Sequence, residues 1–213
     1  MGFFDSIADS FRSAVGSADP DLIKNGTLGR GDLTGIQVSN TTITIGNGLT
    51  ERKCTFQLKV YLEGVEPFDA TCEQRVQEVY LPQLVPGAAV LAVRVDPTDH
   101  TKVAIDFASE VPNVTIKAGT GHDSAAWVLA NGTPAKVVLV ANQPIGLTSS
   151  KGDPVQALTL TVDKGDASYQ AQVGNGVPNS ALPLLFPGSK LHAMIGDGPN
   201  DIVVDWAKGA RTD

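Results

Sequence analysis

The residues able to do chemistry in this chain are few and scattered. Its three histidines, His100, His122 and His192, fall in three different stretches. His122-Asp123-Ser124 contains the residue types of a hydrolytic triad, but adjacent residues in an extended segment point away from one another, and triads are assembled from distant positions. A polar connector is the simpler reading of these three. Asp96 with Asp99, and Asp197 with Asn200 and Asp201, supply oxygen ligands of the kind calcium takes, yet neither set follows a twelve-residue loop ending in Glu. Asp-Pro-Thr-Asp and Asp-Gly-Pro-Asn-Asp read as turns in which an Asx side chain bonds nearby backbone. Gly119-Thr120-Gly121 and Gly174-Asn175-Gly176 lack the rest of a phosphate-binding fingerprint and the helix that should follow it.

Cys54 and Cys72 are the only cysteines, too few for the disulfide framework of a small secreted domain. Both share the parity of the inward face of one hairpin, so the strand pattern places them near one another as reduced, small core residues. A redox pair is the alternative. Asp106 and Asp205 each precede an aromatic in matching contexts. A catalytic group is rarely needed twice at one structural position, so a solvent-facing position or a shared hydrogen bond is expected for both. No nucleophile with its base, no metal cluster and no cofactor fingerprint emerges, and the sequence predicts a protein without catalytic activity or cofactor.

What the chain does display is repetition. Leu81-Pro82-Gln83-Leu84-Val85-Pro86-Gly87 recurs 101 positions later as Leu182-Pro183-Leu184-Leu185-Phe186-Pro187-Gly188, with five of seven residues identical. Phe68-Asp69-Ala70 matches Tyr169-Gln170-Ala171, Val76 matches Val177, and Val90 matches Leu191 in the same frame. Upstream, Phe56, Leu58 and Val60 match Leu158, Leu160 and Val162, and Asn25-Gly26-Thr27 matches Asn131-Gly132-Thr133. Downstream, Val103–Ala108 matches Ile202–Ala207, with two residues lost between Asp197 and Ile202.

Inside each copy the apolar period is two, the pattern of half-buried strands. Strands are expected at 54–62 and 67–76 around Glu63-Gly64, and at 155–162 and 167–173 around Lys164-Gly165, each pair an antiparallel hairpin. The Pro-Gly pairs suit tight turns that launch strands 88–95 and 189–195, since Pro presets φ at the second turn position and Gly accepts the positive φ of the third. Many short strands without crossover helices predict an all-β fold of two tandem duplicated small β-barrels, OB-like or SH3-like, at 23–108 and 127–213. Residues 109–126, with Pro112, Gly119 and Gly121, read as a linker in which Val114-Thr115-Ile116 could add an edge strand.

Residues 1–22 stand outside the repeat. Phe3, Phe4, Ile7, Phe11 and Val15 fall on one side of a helix, and Asp5, Asp9, Ser10, Arg12 and Ser13 on the other, so a short amphipathic helix ending near Gly16 is expected. Its apolar face either packs on the first barrel, covering an open end or edge, or docks to a protein partner or membrane surface. Two aspartates and one arginine on the polar face fit anionic lipid poorly and favour a protein partner.

A net charge of −7 argues against nucleic acid as the main partner, because phosphate binding rests on Lys and Arg. No apolar run approaches the roughly 20 residues of a membrane-spanning helix, and the N-terminus lacks a secretory pattern. A cytoplasmic protein is expected, peripheral to the inner face of the membrane if the helix binds lipid. In the order of its Asn-Gly-Thr, its period-two strands, its Leu-Pro-x-Leu-x-Pro-Gly and its Val93-Arg94-Val95-Asp96-Pro97, the chain resembles small tandem β-barrel proteins of high-GC Gram-positive bacteria, as does its Met-Gly-Phe-Phe-Asp opening. The second copy departs at Asp197-Gly198, where Asp-Pro stands in the first. That resemblance implies a fold and carries no activity. The functional expectation is a non-catalytic binding or scaffold protein; the alternatives are an OB-type single-stranded nucleic-acid binder and a small-ligand carrier with a cleft between the modules.

Overall fold

In the computed structural model, residues 18–44, 50–119, 124–163, 168–198 and 200–212 are described. The chain divides into two compact units, 1–114 and 115–213. Each has its own core and repeats one series of elements.

The first begins with helix α1 (Pro20–Asn25), started by Pro20 and capped by Asp19, whose carboxylate accepts from the backbone N–H of Asp21. Strand β1 (Thr27–Thr44) pairs antiparallel with β2 (Thr50–Tyr61) along its length and with β4 (Val90–Val95) over its first part. Strand β3 (Phe68–Gln77) lies on the far side of β2, and β5 (Val103–Ile105) on the far side of β4. A 3₁₀ turn (Glu78–Gln83) bridges β3 and β4. The hydrogen-bonded order is β3-β2-β1-β4-β5, and since every pairing is antiparallel, β3 and β5 run parallel.

These outer strands are joined by a side chain instead of a backbone ladder. Gln74 of β3, 2% exposed, donates its amide N–H to the Ile105 carbonyl at 3.0 Å and accepts from the Ile105 N–H at 3.0 Å. The sheet thereby curls into the circular order β1-β2-β3-β5-β4 of a partly open, five-stranded OB-type barrel, rather than an SH3-like one. Curling requires the long first strand to bend, and the pairing of β1 with β2 shifts register between Leu33 and Gly35, a bulge of the kind that bends and twists a strand.

After β6 (Val114–Thr115), which falls at the division, come α2 (Ala125–Asn131), β7 (Thr133–Thr148), β8 (Pro154–Asp163), β9 (Ser168–Gly176), a 3₁₀ turn (Asn179–Leu184), β10 (Lys190–Ile195), β11 (Ile202–Val204) and a last 3₁₀ turn (Trp206–Lys208) of the second unit. Its order, β11-β10-β7-β8-β9, repeats the first, with β6 added beside β7. The bulge recurs between Leu139 and Ala141. Closure recurs through Asn175 of β9, which donates to the Ile202 carbonyl at 3.2 Å and accepts from the Val204 N–H at 2.8 Å.

The period-two positions fill separate cores, one around Phe56, Leu58, Val60, Val93 and Val95 and the other around Leu158, Leu160, Val162, Leu191 and Ile195. Val85-Pro86-Gly87-Ala88 closes with an Ala88 N–H to Val85 carbonyl bond at 3.1 Å and Gly87 at φ 80°. Phe186–Ser189 does the same, with Gly188 at φ 93°. Both are the type II turns that Pro-Gly demands.

The structure alters the sequence reading in three places. Leu91, not Val90, is the partner of Leu191: Leu91 pairs with Gly31 and Leu191 with Val137. One residue is therefore dropped right after the Pro-Gly turn and one in the following loop, instead of two in that loop. A short helix precedes Asn-Gly-Thr in each copy, crossing the expected boundaries at 22/23 and 126/127. Within 109–126, β6 is a strand of the second sheet, as Val114-Thr115-Ile116 could have been.

Candidate binding surfaces

The positions predicted for partner or membrane contact, Phe3, Phe4, Ile7, Phe11 and Val15, lie outside the described residues, as do His122 and Asp123. Among the described residues, no group of three or more His, Cys, Asp or Glu is gathered as a metal ion would need. No helix there is long and apolar enough to cross a membrane.

The remaining chemistry-bearing residues are structural where their partners are visible. Asp96 Oδ1 accepts from the Thr98 N–H at 2.8 Å and hydroxyl at 2.7 Å, and Asp99 Oδ1 from the Thr101 N–H and hydroxyl at 3.1 and 2.6 Å. These are the expected Asx turns, and the hydroxyl bonds hold both carboxyl groups below their ordinary range. Asp201 closes its own loop by accepting from the Gly198 N–H at 2.7 Å.

Cys54 and Cys72 are free and buried in the first core. They sit diagonally across β2 and β3, since Cys54 is opposite Gln74 and Cys72 opposite Phe56. Burial pushes both thiols up, Cys72 to about 12, against which Arg52 pulls Cys54 only partly back. A thiol so far above neutral pH is a poor nucleophile.

Asp106 is not solvent-facing. At 5% exposure it accepts from Arg94 Nε at 2.9 Å, the Ser109 hydroxyl at 2.7 Å and the backbone N–H groups of Ala108 and Ser109, both at 3.1 Å. Arg94 also reaches the Gly26 carbonyl at 3.3 Å, tying the end of α1 to the end of β5. Burial, the largest single influence on Asp106, pushes its carboxyl up; the donors of Ser109, Arg94 and Ala108, with the Arg94 charge, outweigh it, and the group lies below its ordinary value. In the second unit Met194 stands in place of Arg94, and Asp205 pairs instead with Lys208 at 2.9 Å. The two repeated aspartates thus anchor the same corner by different means.

Three surfaces are open to a partner. The first is the outer face of β2 and β3, where exposed charges are matched: Lys53 with Glu73 at 2.6 Å and Lys59 with Asp69 at 3.3 Å. Register places Val155 and Gly174, then Thr161 and Gln170, at these four positions of β8 and β9. Both members of each ion pair are replaced together, and the second face is neutral at these four positions.

The second surface is the tip of each Leu-Pro-x-Leu-x-Pro-Gly segment. Leu84 is buried, but Val85 and Phe186, the matching next residues, are 50% and 57% exposed. Val79 and Leu182 add further exposed apolar surface, and Pro82, Pro86, Pro183 and Pro187 are exposed beside them.

The third is a groove in the first unit beside the seam of the barrel. Two cavities of about 350 and about 540 Å³ meet at Thr71 and Thr101. Phe68 lines the groove with its ring stacked on His100, centroids 5.1 Å apart and planes 11° from parallel.

Sequence reasoning missed the closing amides and the Phe68–His100 stack. Gln74 and Asn175 carried a usable signal: each is a polar residue at core parity in an otherwise alternating strand, at the same place in the repeat. The stack joins the first residue of β3 to a residue of the loop between β4 and β5 and left no periodic trace.

No protein-family model and no curated protein matches the chain. Among solved structures, a chain from a replication protein A heterotrimer bound to single-stranded DNA aligns at 14% identity, covering 81% of this chain and 44% of that one, with a TM-score of 0.19. This chain thus spans less than half the length of that neighbour, and a likeness at that score carries no argument. The OB-type description rests on strand order and closure alone.

Proposed function

We propose that this chain is a non-catalytic binding or scaffold protein whose two β modules engage a protein partner through the apolar tips of their repeated Leu-Pro-x-Leu-x-Pro-Gly segments. The observation that carries this reading is the exposure of Val85 and Phe186. Packing accounts for Leu84, and turn geometry for the prolines and glycines. Neither accounts for an apolar side chain standing in water at the same place in both copies. Contiguous exposed apolar groups on a rigid turn are the feature expected of a protein-binding surface, because they release water without having to order a loop.

Single-stranded nucleic acid is the weaker reading. OB-type nucleic-acid faces combine stacking aromatics with a basic groove. Here the exposed positions of β2 and β3 include no aromatic at Lys53, Thr55, Gln57, Thr71, Glu73 or Arg75, and Lys53 and Lys59 are neutralised by their partners.

The test replaces both tips in the full chain, Val85→Asp with Phe186→Asp, and compares proteins recovered with the tagged variant and with the parent at endogenous level. Partners present with the parent and lost from the variant, at unchanged thermal midpoint, support the reading. Equal recovery from both rejects it.

A further inference from the structure

We propose that the free edge of β3 in the first unit accepts an extended, basic segment of a partner protein as an added strand, with lysine or arginine at two positions four residues apart. This surface is separate from the tips considered above, and neither reading rests on the other.

The edge is free because the barrel closes at one point. β5 is three residues long and is joined to β3 through Gln74, so residues 68–73 have no strand beside them on the side away from β2 among the described residues. Backbone N–H and C=O groups of a strand alternate between its two sides. Those of 68–73 that point away from β2 find no backbone partner among the described residues. Such a row of unpaired groups is the template onto which an extended segment adds.

The groove beside the edge leaves room for one. Ala171 of the second unit is 5% exposed, but its counterpart Ala70, at the same register against β2, is only half-buried and lines the groove. Leu22, in the position of the fully buried Val128, is likewise half-buried there. The Phe68 ring, stacked on His100, stands at one end and α1, through Asp19 and Leu22, at the other.

Charge selects the occupant. Apart from His100, the ionisable lining is Asp19, Glu66, Asp69 and Glu73 against Lys102. Lys102 is already engaged by Asp96 at 3.9 Å and Asp99 at 3.5 Å. Asp69 and Glu73 have Lys59 and Lys53 on their β2 side, yet their side chains remain 84% and 56% exposed. They share one face of β3, about 13 Å apart at about 3.3 Å per residue. Cations four residues apart on an added strand stand across from both. The wider field has the same sign: residues 1–114 hold 15 acidic and 9 basic side chains, and 115–213 hold 8 and 7. A second copy of this chain is excluded as the occupant, since edge-to-edge pairing would set these carboxylates against their own equivalents. In the second unit Gln170 and Gly174 stand in their places, so the preference for a cation belongs to the first unit.

The test titrates a fluorescein-labelled peptide, Val-Lys-Val-Thr-Val-Lys-Val, into the full chain and follows anisotropy and amide hydrogen exchange. Saturable binding with a dissociation constant below about 1 mM is expected, with exchange slowed at 68–74 and unaltered at 169–175. The paired substitution Asp69→Lys with Glu73→Lys, at two exposed positions, should weaken this peptide about tenfold and strengthen Val-Glu-Val-Thr-Val-Glu-Val. Circular dichroism shows whether that variant keeps its fold. Two further peptides decide the matter on the parent protein alone: one N-methylated at Lys, Thr and Lys, the other at the valines. An added strand turns only one of these sets of N–H groups toward β3, so one peptide should bind and the other lose at least about tenfold. Absence of saturable binding, equal behaviour of the two methylated peptides, exchange at 68–74 unchanged by the peptide, or undiminished affinity in the folded variant overturns the proposal.

Discussion

Replacing Gln74 by Leu tests whether a single buried amide closes the first barrel. The substitution keeps the bulk of the side chain and removes both hydrogen bonds to Ile105, each 3.0 Å long. Ile105 is 1% exposed, so water cannot reach the freed N–H and carbonyl. Each unsatisfied buried group costs about 1–3 kcal/mol, so the pair costs about 2–6 kcal/mol, out of the roughly 5–15 kcal/mol that holds a domain folded. For a unit of this size the midpoint of thermal unfolding should fall by about 8 °C or more, at about 4–8 °C per kcal/mol. Asn175→Leu does the equivalent in the second unit. The two tryptophans, Trp127 and Trp206, both lie there, so their fluorescence reports the second unit while far-ultraviolet circular dichroism reports both. Gln74→Leu should lower a dichroism transition that tryptophan does not follow, and Asn175→Leu should lower the tryptophan transition itself. A Gln74→Leu protein melting within about 2 °C of the parent, less than half a kcal/mol on the same scale, would mean that the amide does not close the barrel.

Arg94→Met, the residue the second unit uses, should cost about 1–3 kcal/mol in urea unfolding, less than breaking a fully buried pair, because Asp106 keeps its other donors. The Asp106 carboxyl is depressed in the folded state, so its contribution is complete above its unfolded value of about 3.9 and is lost as pH falls through the lower folded value. Asp106→Asn should therefore flatten that acid limb of the stability curve, and an unchanged limb would count against the assignment. Gly87→Ala should cost about 1–2 kcal/mol for placing a Cβ at φ 80°, with no steric part because nothing lies within 4 Å of the added atom; a melt unchanged from the parent would remove the type II turn from the argument. Cys72, with a thiol at about 12, exposes a thiolate fraction on the order of 10⁻⁴ at pH 8 and should resist alkylation until urea unfolds the module, so rapid labelling of the native protein is the refuting result.

The fold was legible in the sequence to the extent that it is written in local chemistry. Pro86-Gly87 and Pro187-Gly188 have one good conformation between them, and the structure adopts it. Alternation at Phe56, Leu58 and Val60 cannot be read as anything but a strand with one buried face, and its recurrence 102 positions on fixed the duplication. What escaped is long-range. Val90 and Leu191 aligned well as hydrophobes in a frame carried over from the Pro-Gly anchor, and only the pairing of Leu91 with Gly31 reveals the residue dropped between them. Helix α1, six residues long, is set by its Asp19 cap, Pro20 and contact with β4 and β5, and is too short to display an amphipathic period. For Asp106 the sequence left a solvent-facing position and a shared hydrogen bond both open, because alternation cannot foresee an arginine one strand away that makes burial tolerable. The candidate surfaces were less legible still, since exposure at Val85 and the openness of the seam beside Ala70 depend on which neighbour is missing.

The contrast between the two modules bears on which surface a partner uses. Both closing amides, both bulges and both Pro-Gly turns are retained, and these are the groups whose loss strands a buried polar atom or strains the backbone. The ion pairs of the outer face are different in kind. Exposed pairs such as Lys53–Glu73 contribute about 0–1 kcal/mol, so their removal from the second module is nearly free for the fold, provided both charges go together. What does change is the work needed to strip water from that face: Thr161, Gln170 and Gly174 are desolvated far more cheaply than a lysine beside a carboxylate. If Phe186 is a contact, the sheet of the second module, uncharged at those four positions, is the one a partner can cover at the lower desolvation cost. The first module, with its ion pairs in place, can offer Val85 only as a smaller, more isolated hold.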